Sequence, residues 1–298
     1  MIINEDIEST LVLSDGRKLT YQEYGDLVGY PILLFHGTPG SRLWFMEDDP
    51  IALELGIRLI ALDRPGYGGS DPKPCRTMLD WAEDVNETAQ LLKLKEYSVL
   101  GVSGGGAYAA VCAYKELKGL RNAAMVASGV PFKDGKAPTS MSCPNRIIFW
   151  LSCYMPQLSR SVFRAQIKMM NKDPEGFKKN LLKGNRHLSK WDRAFLQTNE
   201  QAEATLFHMQ EAYRQGPDEV VRESALLSRS WNFELSGIQI PIYAFHGDAD
   251  TMAPYDVVAA AVANIPNGQL IRIRNGGHFI IEDEEIWSDI LCSLRDGR

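Results

Sequence analysis

Eight short apolar runs, most of them ending at a turn rich in Gly or Asp, set the rhythm of this chain. Residues 10–13 and 18–24 flank Asp15-Gly16, a dipeptide suited to a hairpin turn. Residues 31–35 precede His36-Gly37, 58–62 precede Asp63, 97–102 precede Ser103, and 123–127 precede Ser128-Gly129. Residues 240–245 before His246-Gly247 and 270–273 before Asn275-Gly276 complete the series. Most of these runs are continuous rather than alternating. Strands that read this way are buried on both faces, which is the habit of parallel sheets.

Helical periodicity fills the gaps. Thr77 stands as N-cap to a helix in which Trp81, Ala82, Val85, Ala89 and Leu92 recur on one face. Residues 104–117, 255–263 and 285–294 read the same way. Strands and helices in alternation predict an α/β fold with a doubly wound, mostly parallel sheet. Residues 132–235 break the pattern. They hold no strand-like run and read as six helices, at 145–155, 159–171, 174–182, 190–197, 201–215 and 218–227. The expected organisation is a core domain made of residues 1–131 and 236–298, with residues 132–235 as a helical cap inserted between core strands.

Composition narrows the function classes. The net charge is −6, and the most basic stretch, 178–190, is interrupted by Asn, Leu and Gly. No phosphate-binding face is marked, so nucleic acid is not an expected partner. Five cysteines, Cys75, Cys112, Cys143, Cys153 and Cys292, are odd in number, widely spaced and without a CxxC pair. They fit reduced thiols in the cytoplasm rather than a disulfide framework or a zinc site. The first residues show no basic or apolar leader pattern. The longest apolar run, 147–155, falls far short of the ~20 residues of a membrane span. A soluble, cytoplasmic protein is expected; the oligomeric state is not legible.

Chemistry enters at Gly101-Val102-Ser103-Gly104-Gly105, a G-x-S-x-G between an expected strand and an expected helix. A tight strand-to-helix turn there would hold the serine exposed, small neighbours would let backbones pass closely, and the helix N-terminus would favour developing negative charge. A Gly-rich packing or phosphate loop is the plainer alternative, but the Lys of a P-loop is missing and G-x-G-x-x-G does not fit from Gly101. Asp250 follows the run ending at Phe245, and His278 follows the run ending at Ile273. Singly, Asp250 reads as a helix cap and His278 as a surface histidine. Together, in the order Ser, Asp, His and each beyond a strand, they read as a catalytic triad.

These residues sit in a chain that resembles the α/β-hydrolase superfamily along nearly its full length. His36-Gly37-Thr38-Pro39-Gly40-Ser41-Arg42 is similar to that family's H-G-x-P-G loop, and 63–70, Asp-Arg-Pro-Gly-Tyr-Gly-Gly-Ser, to its D-R-P-G-x-G-x-S turn. Trp231-Asn232-Phe233 resembles a W-x-F segment that closes the cap in many members. The resemblance implies an oxyanion hole made by the backbone N–H groups of Thr38 and Gly104, with no metal and no organic cofactor. It places the acid three residues after the strand-ending glycine, which selects Asp250 over Asp248; Asp134, after the preceding strand, comes too late. His36 is expected to hold its loop rather than act as a base. A serine at 103 implies acyl chemistry, since relatives that cleave alkyl halides or epoxides carry an aspartate there.

The reaction so implied is hydrolysis of an ester, lactone or related acyl bond of a small, hydrophobic substrate through an acyl-enzyme. Phe149, Trp150, Tyr154 and Phe207 are the cap residues expected to line the pocket. A second reading follows from the likeness of 36–42 to the H-G-G-P-G loop of proline iminopeptidases, with Glu200, Glu203 and Glu211 as carboxylates for a free amino terminus. A third is a ligand sensor that keeps the triad but turns over slowly or not at all.

Overall fold

The computed structural model describes residues 8–182 and 187–297. The N-terminal residues read above for a leader, and the centre of the basic stretch, lie outside the described residues. Eight strands form one sheet in the order β1-β2-β4-β3-β5-β6-β7-β8. They are β1 (Ser9–Val12), β2 (Lys18–Gly25), β3 (Tyr30–Phe35), β4 (Ile57–Leu62), β5 (Tyr97–Val102), β6 (Leu120–Val126), β7 (Ile242–Gly247) and β8 (Gly268–Ile273). β1 and β2 pair antiparallel and β2 joins β4 antiparallel; every other pairing is parallel. The eight apolar runs are these eight strands.

The continuous apolar runs arise because helices cover both faces. Leu33 and Phe35 of β3 point into a core with Trp81 and Val85, while Ile32 and Leu34 point into another with Phe45, Trp287 and Ile290. The first face is covered by α2 (Asp80–Leu91), α3 (Gly104–Tyr114) and α10 (Tyr255–Val262). The second is covered by α1 (Asp49–Glu54) and α11 (Glu284–Asp296). α1 was not expected from sequence: it is a six-residue extension of a 3-10 turn and shows too little periodicity to read. Thr77 is not an N-cap. Its N–H and hydroxyl both donate to the Asp80 carboxylate, so its oxygen is turned away from the helix amides, and α2 begins three residues later.

Six helices lie between β6 and β7: α4 (Cys143–Tyr154), α5 (Pro156–Lys172), α6 (Pro174–Leu182), α7 (Lys190–Phe195), α8 (Asn199–Ala212) and α9 (Asp218–Ser228). All but α7 share a small core of their own around Phe163, Met170, Phe177 and Tyr213, while Trp191 of α7 packs against the core of the sheet. None of the helices, among the described residues, is long and apolar enough to cross a membrane.

A buried ionic cluster joins α9 to the sheet. Arg64 and Arg76 follow β4; Glu219 and Glu223 lie one turn apart on α9. The Arg64 guanidinium grips Glu223 with two hydrogen bonds of 2.8 Å, and neither side chain has any solvent exposure. Arg76 donates to Glu219 at 2.7 Å, to Glu223 at 3.2 Å and to the Tyr108 hydroxyl at 2.8 Å. Burial opposes ionisation of Glu223, yet the two guanidinium groups outweigh it and hold this carboxyl well below the usual range. Removing one partner of a buried ion pair leaves the other charge uncompensated, and the cost exceeds what the pair itself contributes. Glu223→Gln should therefore lower unfolding free energy by about 3–5 kcal/mol in chemical denaturation. An unchanged midpoint would show that α9 docks without this cluster.

Candidate active site

Ser103 stands at the joint between β5 and α3 with φ 53° and ψ −119°, a backbone conformation that non-glycine residues rarely adopt. Packing holds it there. A side chain on Gly105 would meet the carbonyl oxygen of Phe35 at 2.1 Å, and one on Gly101 that of Gly105 at 2.0 Å, so α3 lies directly against β3 and β5. The Ser103 amide donates to Val126 O at 2.9 Å, anchoring the turn to the neighbouring strand.

Two loops beyond β7 and β8 meet this serine. His278 Nε2 lies 2.9 Å from Ser103 Oγ, and His278 Nδ1 lies 2.8 Å from Asp250 Oδ2. A carboxylate at Nδ1 assigns the proton to that nitrogen, which leaves Nε2 as an acceptor for the serine hydroxyl. Asp250 Oδ1 accepts from the amides of Met252 and Ala253 at 2.7 and 2.9 Å, fixing its orientation. Burial resists the charged imidazole, but the charge and hydrogen bond of Asp250 outweigh it, and the His278 pKa is raised above its ordinary value. Burial likewise opposes ionisation of Asp250; His278 and His246 overcome it and keep the carboxyl well below the usual range. Asp248 takes another path. It pairs with Arg272 at 2.7 Å and accepts from the Asn275 amide, closing the turn at the edge of the sheet.

Thr38 and Gly104 lie side by side: a Cβ on Gly104 would stand 2.2 Å from Thr38 Oγ1. Gly104 is the first residue of α3, where helix geometry leaves amides without intrahelical acceptors. The Thr38 loop is pinned from beneath. Thr38 Oγ1 donates to Glu223 Oε2 at 2.6 Å, while Arg64 donates to the carbonyl oxygens of His36 and, at 2.9 Å, Gly37. His36 is fully buried, accepts the Arg64 amide at Nε2 and contacts Gly37 O through Nδ1. Burial pushes its pKa well down, with the Arg64 charge adding to the effect. It holds the loop as a neutral ring. Arg42 and Asp63, one in each of the two motif loops, are tied by bonds of 2.6 and 2.7 Å.

Three buried groups that sequence reasoning did not single out complete the site. Asp192, on α7, accepts from the amides of His278 and Phe279 at 2.7 and 2.9 Å. A side chain on Gly277 would clash with Asp192 at 2.2 Å, so only glycine lets the histidine loop approach. Ser189-x-x-Asp192 is legible as a helix start, and the Ser189 cap is present, but nothing local tells where the carboxylate points. His246 lies 3.4 Å from Asp250 Oδ2 and 2.7 Å from Ala253 O. Glu223, described above, is the third. Among the described residues no group of three or more His, Cys, Asp or Glu is arranged to hold a metal ion.

Ser103 opens on two lobes of one cleft. The larger, about 330 Å³, is bounded by Leu43, Trp44, Phe195, Phe207, His208 and Glu282. The smaller, about 240 Å³, is bounded by Phe132, Ile148, Phe149, Phe163, Val220 and Trp231. Thr38, Pro39, Asn145, Met252 and His278 are common to both. Of the expected pocket residues, Phe149 and Phe207 reach the cleft; Trp150 and Tyr154 do not. On α4, Asn145, Ile148, Phe149 and Ser152 share the inward face, and at 100° per residue Trp150 and Tyr154 fall on the opposite one. They are 53% and 63% exposed and border a separate outer groove. Glu200 and Glu203 are on the exposed surface, and Glu211 is bound to Arg42 at 2.5 Å.

The alpha/beta hydrolase fold family model matches residues 30–285. A non-heme chloroperoxidase of Streptomyces lividans is 32% identical over 123 residues, 41% of this chain and 45% of that protein, so the match spans less than half of that relative. The non-heme chloroperoxidase CPO-A1 of Kitasatospora aureofaciens is 25% identical over 89% of this chain and 90% of its own length. Among solved structures, an esterase from Exiguobacterium antarcticum superposes with a TM-score of 0.71 at 20% identity, covering 97% of this chain and 100% of that one. The strand order, the serine at the strand-to-helix joint and a family match over most of the chain lead to one conclusion: this protein belongs to the alpha/beta hydrolase fold family.

Proposed function

We propose that this protein is a serine esterase in which Ser103 is the nucleophile, His278 the general base and Asp250 its orienting acid. The observation that carries the reading is the unbroken relay Asp250–His278–Ser103, at 2.8 and 2.9 Å, ending on a serine at a strained strand-to-helix turn. His278 Nε2 takes the hydroxyl proton as Ser103 Oγ attacks the acyl carbon, and Asp250 stabilises the imidazolium. The amides of Thr38 and Gly104 bind the oxyanion, each donor contributing on the order of 3 kcal/mol. The imidazolium returns its proton to the departing alcohol. Water, deprotonated by the same histidine, then releases the acid from Ser103.

The substrate favoured is an ester of a hydrophobic acid. The lobe beside Gly104 is walled mostly by apolar side chains and suits the acyl part. The other lobe, with Glu282, Gln201 and His208 in its wall, suits a more polar leaving group. Residues 132–235 serve in this reading as a cap that supplies about half of both walls. Aminopeptidase action is not favoured, because the three cap glutamates that could hold an ammonium group are at the surface or already paired. The five cysteines are unpaired, which suits a reducing, cytoplasmic location.

Ser103→Ala should abolish turnover of p-nitrophenyl acyl esters with no loss of fold, and a fluorophosphonate probe should label wild type at Ser103 alone. Labelling that persists in the alanine variant would overturn the assignment. A ligand-induced rise in melting temperature with no turnover of any ester would instead favour a sensor.

The rate should depend on pH through His278. Only the neutral ring accepts the serine proton, and its raised pKa means that protonation sets in at a higher pH than for a free histidine. kcat/KM is therefore full at alkaline pH and falls as pH drops, with a midpoint above about 6.5, the unperturbed histidine value. A profile flat between about pH 5 and 9 would contradict a histidine base.

The two aspartates should separate cleanly. Asp250→Asn should reduce kcat by roughly 10⁴-fold, since an amide facing Nδ1 stabilises the wrong tautomer. Asp248→Asn loses the charge pair with Arg272 but keeps an oxygen to accept from the Asn275 amide, so it should lower the melting temperature slightly and leave turnover largely intact. The reverse pattern in steady-state kinetics would move the acid to Asp248.

A further inference from the structure

The apolar lobe ends at two aromatic rings. Phe132 and Phe149 meet edge to face, with centroids 5.1 Å apart and planes at 84°. The same two rings form the inner wall of a groove of about 610 Å³ on the outer side of α4. One layer of aromatic side chains thus divides the Ser103 cleft from the surface. Beyond it, Ile147, Trp150 and Tyr154 stand in a row at helical spacing, 51%, 53% and 63% exposed, with the Trp150 and Tyr154 rings 5.8 Å apart. Single exposed apolar residues are ordinary. Three of them aligned along a groove that shares Phe132 and Phe149 with the lobe beside Ser103 form an apolar surface next to that lobe, across one aromatic layer.

We propose that this groove is a distal subsite for long, linear acyl chains and that Phe149 is the gate into it. The inference rests on the esterase reading and deepens it by naming the acyl class. Phe132 is buried and fixed, whereas Phe149 is half-buried and borders open groove on one side, so its ring can turn outward about χ1. Chains that fit the inner lobe leave the gate closed. Longer chains displace the ring and lay their last methylenes along Ile147, Trp150 and Tyr154. The wall on the other side of the groove runs from Gly135 to Thr139, with small Gly135 and Ala137 on either side of Lys136, and leaves room for an extended chain.

The test compares p-nitrophenyl butyrate, octanoate, dodecanoate and hexadecanoate. In Phe149→Ala the ratio of kcat/KM for dodecanoate over butyrate should rise about tenfold, and adding Trp150→Ala to that variant should remove the gain. A rise of the same size in Phe207→Ala but not in Phe149→Ala would put the chain in the other lobe and overturn the proposal. A second measurement works without turnover. Straight-chain fatty acids with a terminal diazirine are bound to Ser103→Ala, photolysed and mapped by mass spectrometry. Hexadecanoic probes should crosslink to Ile147, Trp150 or Tyr154, and octanoic probes to the inner lobe. Crosslinks on the Trp44 and Phe207 side, or none, would overturn the subsite. Failure of the esterase reading is distinguishable, since it would abolish turnover of every chain length in wild type.

Discussion

One ion pair with no contact to water, Arg64 with Glu223, holds together the parts of this molecule that must act in register. Its guanidinium comes from the loop after β4 and its carboxylate from α9. Between them they secure the loop of His36, Gly37 and Thr38. A charge pair buried this deeply is a poor source of stability compared with apolar packing, because both ions give up hydration. What it contributes is direction. Each polar atom in the cluster has a set geometry, so the Thr38 amide is held relative to the start of α3 rather than left to a mobile glycine-rich turn.

Asp192 does the same for the opposite side of the site. Where Glu223 fixes the loop beside Ser103, Asp192 fixes the loop that carries His278, by accepting two consecutive amides. Both carboxylates belong to the helices inserted between β6 and β7. Those helices therefore do more than line a cleft: they reach into the sheet edge and set the two loops that flank Ser103. On the proposed reading, loosening these helices would disturb the chemistry as well as substrate access, since they both hold the two loops and line the cleft.

The sheet was legible in the sequence because each buried strand leaves a continuous apolar run and each ends in a turn of recognisable composition. That Ser103, Asp250 and His278 meet was legible for a related reason: they follow strand ends, and their order follows from the topology. The choice of Asp250 over Asp248 came from spacing, and the contacts of the two side chains differ accordingly. The roles of Glu223, Asp192 and His246 were not legible. Each depends on which of many carboxylates or rings folds back onto a distant loop, and no local pattern carries that information. The pocket residues failed in part for a different reason. Aromatic content along α4 marked the right helix, but only its rotation about the axis separates Phe149, which lines the cleft, from Trp150 and Tyr154, which do not.

The proposed function requires covalent chemistry at Ser103, and the most direct measurement is rapid quenching of the protein with a slowly released aryl ester, followed by intact mass and peptide mapping. An acyl-enzyme should give a transient mass increase equal to the acyl group, carried by Ser103 Oγ, formed and lost at rates consistent with turnover. Turnover without any acylated species at Ser103, or an acyl group carried by another residue at those rates, would contradict it.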